Sequence, residues 1–152
     1  MAIQNGQSAT VRRGMVCSWS IDTVPLAGDG DIVVLRLVGE LDLSTDPLLR
    51  EALDAVNARA PAYLVIDLAE VGFCGAGQLR QLADTHTDTL VNGVGFALCG
   101  LSRSQSRACA VVWGRDYLPR CYPSARDAIT VWSTAAPAWV PGGQPSLNER
   151  AS

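Results

Sequence analysis

Residues 63–79 read YLVIDLAEVGFCGAGQL. They open as an apolar run, residues 63–68, interrupted only by Asp67, of the kind found in strands buried on both faces of a sheet. From Leu79 the spacing changes. Leu79, Leu82, Ala83, His86 and Leu90 recur at three- and four-residue intervals, the period of one helix face. Between the two lie residues 72–78, which hold Gly75 and Gly77 and are expected to form a loop. A buried strand leading through a short glycine-containing loop into an amphipathic helix is the building unit of an α/β protein.

The same unit repeats on either side. Upstream, residues 31–39 (DIVVLRLVG) place Val33, Leu35 and Leu37 on one face of a strand and Val34, Arg36 and Val38 on the other. Residues 15–21 alternate as well, and residues 26–30 (LAGDG) carry the Asp-Gly signal of a hairpin, so two antiparallel strands are expected to begin the domain. Asp46 is expected to cap the first helix and Pro47 to occupy its first position, with Leu49, Leu53, Val56 and Ala60 as its apolar stripe and Pro61 closing the segment. Downstream, Asn92-Gly93 ends the second helix. Residues 94–100 (VGFALCG) form another buried strand. Ser102 caps a third helix that reaches Trp113 and stops at Gly114. Residues 120–122 make a short last strand, and Pro123 and Ser124 lead into a final helix bearing Ala125, Ala128, Ile129 and Trp132.

The expected architecture is therefore α/β: a mixed central β-sheet of about five strands with about four helices packed against it, in the order ββαβαβαβα. Crossovers of the usual hand gather strand ends and helix starts on one rim. Residues 1–13 are expected to be a flexible N-terminal tail and residues 14–133 the folded domain. Residues 134–152, rich in Pro, Gly and Ser, are expected to be a disordered C-terminal tail. Trp139 in that tail docks either on the domain or on a partner.

Composition narrows the function. The chain has 152 residues, 48% of them hydrophobic and 18% charged, with a net charge of −3. A mildly acidic chain offers no electrostatic footprint for nucleic acid. No run approaches the length of a membrane span, and the first residues lack the apolar stretch of a signal peptide, which points to the cytoplasm. The five cysteines (Cys17, Cys74, Cys99, Cys109 and Cys121) include no CxxC pair and accompany a single histidine, His86. They read as reduced cytosolic thiols rather than metal ligands, and no metal or cofactor is expected. Neither Gly-x-Ser-x-Gly, a dinucleotide-binding glycine fingerprint nor a phosphate-binding loop is present, so no catalytic residue and no enzyme activity are expected.

Two stretches carry a resemblance. Residues 33–53, VVLRLVGELDLSTDPLLREAL, are similar to the first signature of the STAS domain family: an apolar strand, then Gly-Glu-Leu-Asp, then Ser/Thr and a helix. Residues 63–79 resemble the second: a strand through Asp-Leu, then Val-x-Phe, a short loop and a helix. The likeness continues through VNGVGFALCG and RCYPSARDAI and covers roughly residues 14–133. It points to the anti-anti-sigma (anti-sigma factor antagonist) type. The resemblance implies a protein that binds an anti-sigma factor, a kinase-like protein, and so releases a sigma factor for transcription. A monomer or weak dimer is expected, with neither nucleic acid nor membrane as partner. Two other roles stay open: a non-phosphorylated scaffold in a bacterial stress-signalling complex, and a module sensing a nucleotide or small anion.

The usual loop of such proteins reads Phe-x-Asp-Ser-Ser/Thr-Gly-Leu, and the anti-sigma kinase phosphorylates the Ser or Thr at the start of the second helix. Here the loop reads Phe73-Cys74-Gly75-Ala76-Gly77-Gln78-Leu79. Gly75 replaces the Asp, Gly77 replaces the phosphoacceptor, and Gln78 replaces the glycine. With no hydroxyl in this loop, phosphorylation at the usual position is chemically impossible. The resemblance implies a partner-binding rim made of Asp42, Ser44, Thr45, Gly75, Ala76, Gly77 and Gln78, with Gly75 and Gly77 presenting backbone N–H groups. Asp42, Ser44 and Thr45 alternatively serve as helix caps, and Ser44 or Thr45 is a minor candidate for an alternative phosphoacceptor. Cys74 precedes a helix start, where the dipole favours a thiolate, and is a candidate redox gate; the alternative is a thiol buried beside Phe73. His86 is expected to be a core-edge residue and Asp67 to be structural.

Overall fold

The computed structural model describes residues 10–13, 17–28 and 30–135. Its centre is a sheet of six strands whose spatial order is the order of the chain. They are β1 (Thr10–Arg13), β2 (Cys17–Pro25), β3 (Asp31–Leu41), β4 (Tyr63–Cys74), β5 (Gly95–Cys99) and β6 (Arg120–Tyr122). The first three pair antiparallel, and β3 to β6 pair parallel. Four α-helices interleave with the strands: α1 (Asp46–Ala58), α2 (Ala76–Val91), α3 (Arg103–Trp113) and α4 (Ala125–Ala135).

The expected mixed sheet with four helices is present, with one strand added. Residues 10–13, read as part of a loose tail, pair with β2 as β1. Four residues, two of them arginine, show no alternation that a sequence pattern could register. The final helix runs past the expected boundary to Ala135. Residues 1–9 and 136–152, including Trp139, lie outside the described residues.

The alternation in β3 sorts the core into two layers. Val33, Leu35 and Leu37 join Trp19 and Ile21 of β2, Leu64 and Ile66 of β4, and the buried faces of α1, α2 and α3. On the reverse side, Ile32 and Val34 join Val65, Ala97 and Cys99 beneath α4, whose Ala128, Ile129 and Trp132 complete that layer. The Trp132 and Tyr63 rings lie 4.6 Å apart. Three helices thus cover one face and a single helix the other.

β4 departs most from expectation. It continues six residues beyond Leu68, through most of the supposed loop, and ends at Cys74. Its register against β3 slips twice, between Asp67 and Glu70 and again between Val71 and Phe73, so β4 carries an extra residue at each place. The first bulge is held by Asp67. This buried carboxylate accepts from the Ala69 N–H at 3.0 Å and pairs with Arg36 Nε at 3.3 Å. Gly100 closes over the same bulge with φ +73, and a Cβ there would lie 2.6 Å from Ala69 N. Asp67 is therefore a structural residue in mid-strand.

Candidate functional site

The carboxyl ends of β3 and β4 are hydrogen-bonded neighbours, with Glu40 opposite Phe73 and Leu41 opposite Cys74. Beyond them the chain turns in two ways. After β3, Asp42 opens a 3-10 turn, Leu43–Thr45, that winds into α1. After β4, Gly75 opens α2 directly. The Gly75 N–H donates to the Leu41 carbonyl at 2.8 Å and ties the two turns together on one rim.

Asp42 caps its turn through a reciprocal box. Its Oδ1 accepts from the Ser44 N–H at 2.9 Å, the Thr45 N–H at 3.2 Å and the Ser44 hydroxyl at 2.6 Å, while Thr45 Oγ1 accepts from the Asp42 N–H. The Ser44 hydroxyl first, then the two backbone donors, hold the Asp42 carboxyl below the ordinary aspartate value. Thr45 is only 6% exposed, and its hydroxyl donates to the Glu40 carbonyl at 3.0 Å. Thr45 is thus a buried brace rather than a presented hydroxyl. Ser44 stays exposed.

Because the chain begins to wind at Leu43, Asp46 does not cap α1. It already lies inside the helix, and Thr45 holds the cap position without a side-chain bond. Its carboxylate turns toward α2 instead, where Oδ1 accepts from Gln78 Nε2 at 2.9 Å and also from Gln81 Nε2. Gln78 is 5% exposed. The expectation that Gln78 faces a partner is corrected: it clamps α2 to α1. Gln78 has room to fold back because residue 75 lacks a Cβ, which would collide with Gln78 Oε1. The Gly75 N–H, expected to face a partner, is already engaged by Leu41. α3 is anchored the same way, since buried Gln105 donates from Nε2 to the Val71 carbonyl at 2.8 Å while completing the cap box of Ser102.

Ala76 and Gly77 remain open on the rim, and no atom approaches the space a Gly77 side chain would fill. No side chain caps the start of α2. Beside them stand two apolar side chains: Leu43 at 82% exposure and Phe73 at 53%. Burial beside Cys74 is one of the two sequence expectations for Phe73, and the pattern assigns no role to Leu43. The available signal was an apolar residue between Asp42 and Ser44 that neither strand nor helix period requires. Exposed Glu40 lies opposite Phe73 in the β3–β4 register.

Cys74 does not have a reactive thiol's environment. Burial, with a smaller contribution from neighbouring Cys109, pushes its thiol up to about 12, opposite to the shift that favours a thiolate. All five cysteines are free thiols. His86 lies at the edge of the core, where its Nδ1 accepts from Trp113 Nε1 at 3.1 Å and its ring stacks on Phe96 at 4.8 Å. Among the described residues no three His, Cys, Asp or Glu side chains are grouped to hold a metal ion, and no helix is long and apolar enough to cross a membrane.

The family model described as STAS domain matches residues 23–128, a span that includes this rim and most of the sheet. The chain belongs to the STAS domain family. This STAS domain is 35% identical over 108 residues to the anti-sigma-F factor antagonist RsfB of Mycobacterium tuberculosis, covering 71% of this chain and 87% of that protein. It is likewise 35% identical to an anti-sigma factor antagonist from Mycobacterium paratuberculosis of known crystal structure, with a TM-score of 0.57 over 72% of this chain and 92% of that one. An RsbS variant from Moorella thermoacetica shares the fold at 18% identity, with a TM-score of 0.60, covering 75% of this chain and 97% of the other.

Proposed function

We propose that this STAS domain is an anti-sigma factor antagonist: it binds an anti-sigma factor through the rim at the carboxyl ends of β3 and β4, and so frees a sigma factor for transcription. The observation that carries the reading is the 35% identity to RsfB across most of both chains. The rim supplies what docking needs. Leu43 and Phe73 give apolar area, Ala76 and Gly77 leave the start of α2 open to close approach, and Asp42 and Ser44 add polar contacts. Thr45, Gly75 and Gln78 act beneath that surface and hold it in place.

The partner in this reading is a kinase-like anti-sigma factor in the cytoplasm, and the antagonist works as a monomer or weak dimer without enzyme activity. Phosphorylation at the usual loop position plays no part, because position 77 is glycine. Capture on the purified protein from its native cytosol, followed by reconstitution of the complex in gel filtration, tests the reading. A kinase-like anti-sigma factor is expected as stoichiometric partner; its absence from the captured proteins overturns the proposal. The uncapped start of α2 supports a second reading, a nucleotide or anion sensor. On that reading GTP, ATP or sulfate raises the melting temperature. A large self-assembled species in gel filtration is instead the outcome expected of a scaffold.

A further inference from the structure

α2 and α3 lie side by side on one face of the sheet, joined where Trp113 Nε1 donates to His86 Nδ1 at 3.1 Å. They run in the same direction, because each connects one parallel strand to the next. Leu79 and Leu82 fix the buried side of α2, and Gln105 and Cys109 that of α3. The outer sides carry opposite charges. α2 presents exposed Asp84 and Asp88, one turn apart, and α3 presents exposed Arg103 and Arg107, also one turn apart. Like charges at that spacing repel within a helix. Both pairs also oppose the helix dipole, since Asp88 sits in the last turn of α2 and Arg103 opens α3. Among the described residues, none of these four side chains makes an ion pair. Each stripe is thus unfavourable to its own helix and unrelieved by its neighbour.

We propose that the outer face of α2 and α3 is an interface between two copies of this chain, related by a two-fold axis that stands normal to the helix pair. The rotation lays α2 of each copy antiparallel over α3 of the other. One register then satisfies both stripes: Asp84 meets the second copy's Arg107, and Asp88 meets its Arg103. The charges are spaced about 6 Å apart along both helices, so the two contacts stay in step. The next contact in that register sets Arg80, exposed one turn before Asp84, against the second copy's Val111, which is 83% exposed. The aliphatic stem of the arginine covers the valine. The two-fold repeats every contact, because acid and base stand side by side on one patch and the patch is its own complement. Ion pairs at a surface are individually weak and screened by salt, so the dimer is a weak, salt-sensitive one. The inference does not rest on the antagonist reading.

Sedimentation equilibrium of the full chain over a range of protein concentrations, in low salt and in about 1 M sodium chloride, tests it. A monomer–dimer equilibrium is expected in low salt, with a dissociation constant roughly tenfold or more higher in high salt. The pair Arg103→Glu with Arg107→Glu is expected to stay monomeric, as is the pair Asp84→Arg with Asp88→Arg, because each sets like charges face to face. The variant with all four substitutions keeps the net charge of the wild type and exchanges the stripes. It is expected to dimerise again, within about threefold of the wild-type affinity. Circular dichroism matching wild type shows each variant folded, and if one is not, the wild-type salt series decides. A wild-type chain that stays monomeric, a dimer indifferent to salt, or a mass that grows beyond the dimer overturns the inference. So does a folded two-substitution variant that dimerises like wild type, or a folded four-substitution variant that does not dimerise.

Discussion

Gly75 and Gln78 act as one unit, although the chain separates them. The glycine leaves space, the glutamine fills it, and the glutamine amide reaches Asp46 on another helix. Introducing the usual aspartate alone forces Gln78 out of its place. Gly75→Asp is therefore expected to lower stability by about 1–3 kcal/mol, the range for a buried polar group deprived of its partner. In the double variant with Gln78→Gly the collision disappears and the aspartate caps α2. The two changes are expected to be non-additive in urea unfolding, with a favourable coupling of about 0.5–3 kcal/mol. Simple additivity contradicts the arrangement. None of this was legible in the sequence. A glutamine three residues into a helix reads as surface, and its partner is 32 positions away. Asp46 was misread for a related reason. Its Asp-Pro pair marks a helix start, but Asp42 had already begun the winding.

At the scale of elements, β3, β4 and the starts of α1 and α2 carry the rim. The bulges in β4 explain why its second half was read as loop. After Leu68 the extra residues break the two-residue period, and Ala69, Glu70, Gly72 and Phe73 are exposed. The first half was legible because it is buried on both faces. Gly100 locks the first bulge, so Gly100→Ala meets both a positive φ and the Ala69 backbone. It is expected to cost about 1–3 kcal/mol in thermal or urea unfolding, and a neutral result sinks this account of the bulge. Between α2 and α3, burial lowers the pKa of His86 below the ordinary imidazole value. The unfolded chain then takes up the proton first, so this contribution is complete above about pH 6.5 and is lost as pH falls below it. His86→Phe is expected to flatten that part of the melting-temperature profile. At neutral pH it costs about 0.5–1.5 kcal/mol, because half-buried Trp113 Nε1 loses its acceptor. An unchanged acid slope in the variant assigns the effect elsewhere.

For the molecule as a whole, the layer arrangement was legible because α1 and α4 each carry one apolar stripe at helical spacing, while β3 and β5 are apolar on both faces. The rim's location followed from strand ends meeting helix starts. Its composition was less legible, since exposure depends on neighbours that converge only after folding. Leu43 and Phe73 should therefore matter to binding and little to folding. Leu43→Ala and Phe73→Ala are expected to change stability by within about 0.5 kcal/mol. Each is expected to weaken anti-sigma factor binding by about 1–2 kcal/mol in calorimetric titration. Unchanged affinity in both variants moves the docking surface off this rim. The spatial order of the strands also has a bearing on synthesis. Each new strand adds to the edge left by the one before it, so the growing chain meets its pairing partners in the order it leaves the ribosome. The reverse face is the exception. Val34, Val65 and Ala97 stay bare to solvent until residues 125–135 emerge. Premature termination before α4 should thus yield a sticky nascent sheet that chaperones retain, rather than a shortened but working antagonist.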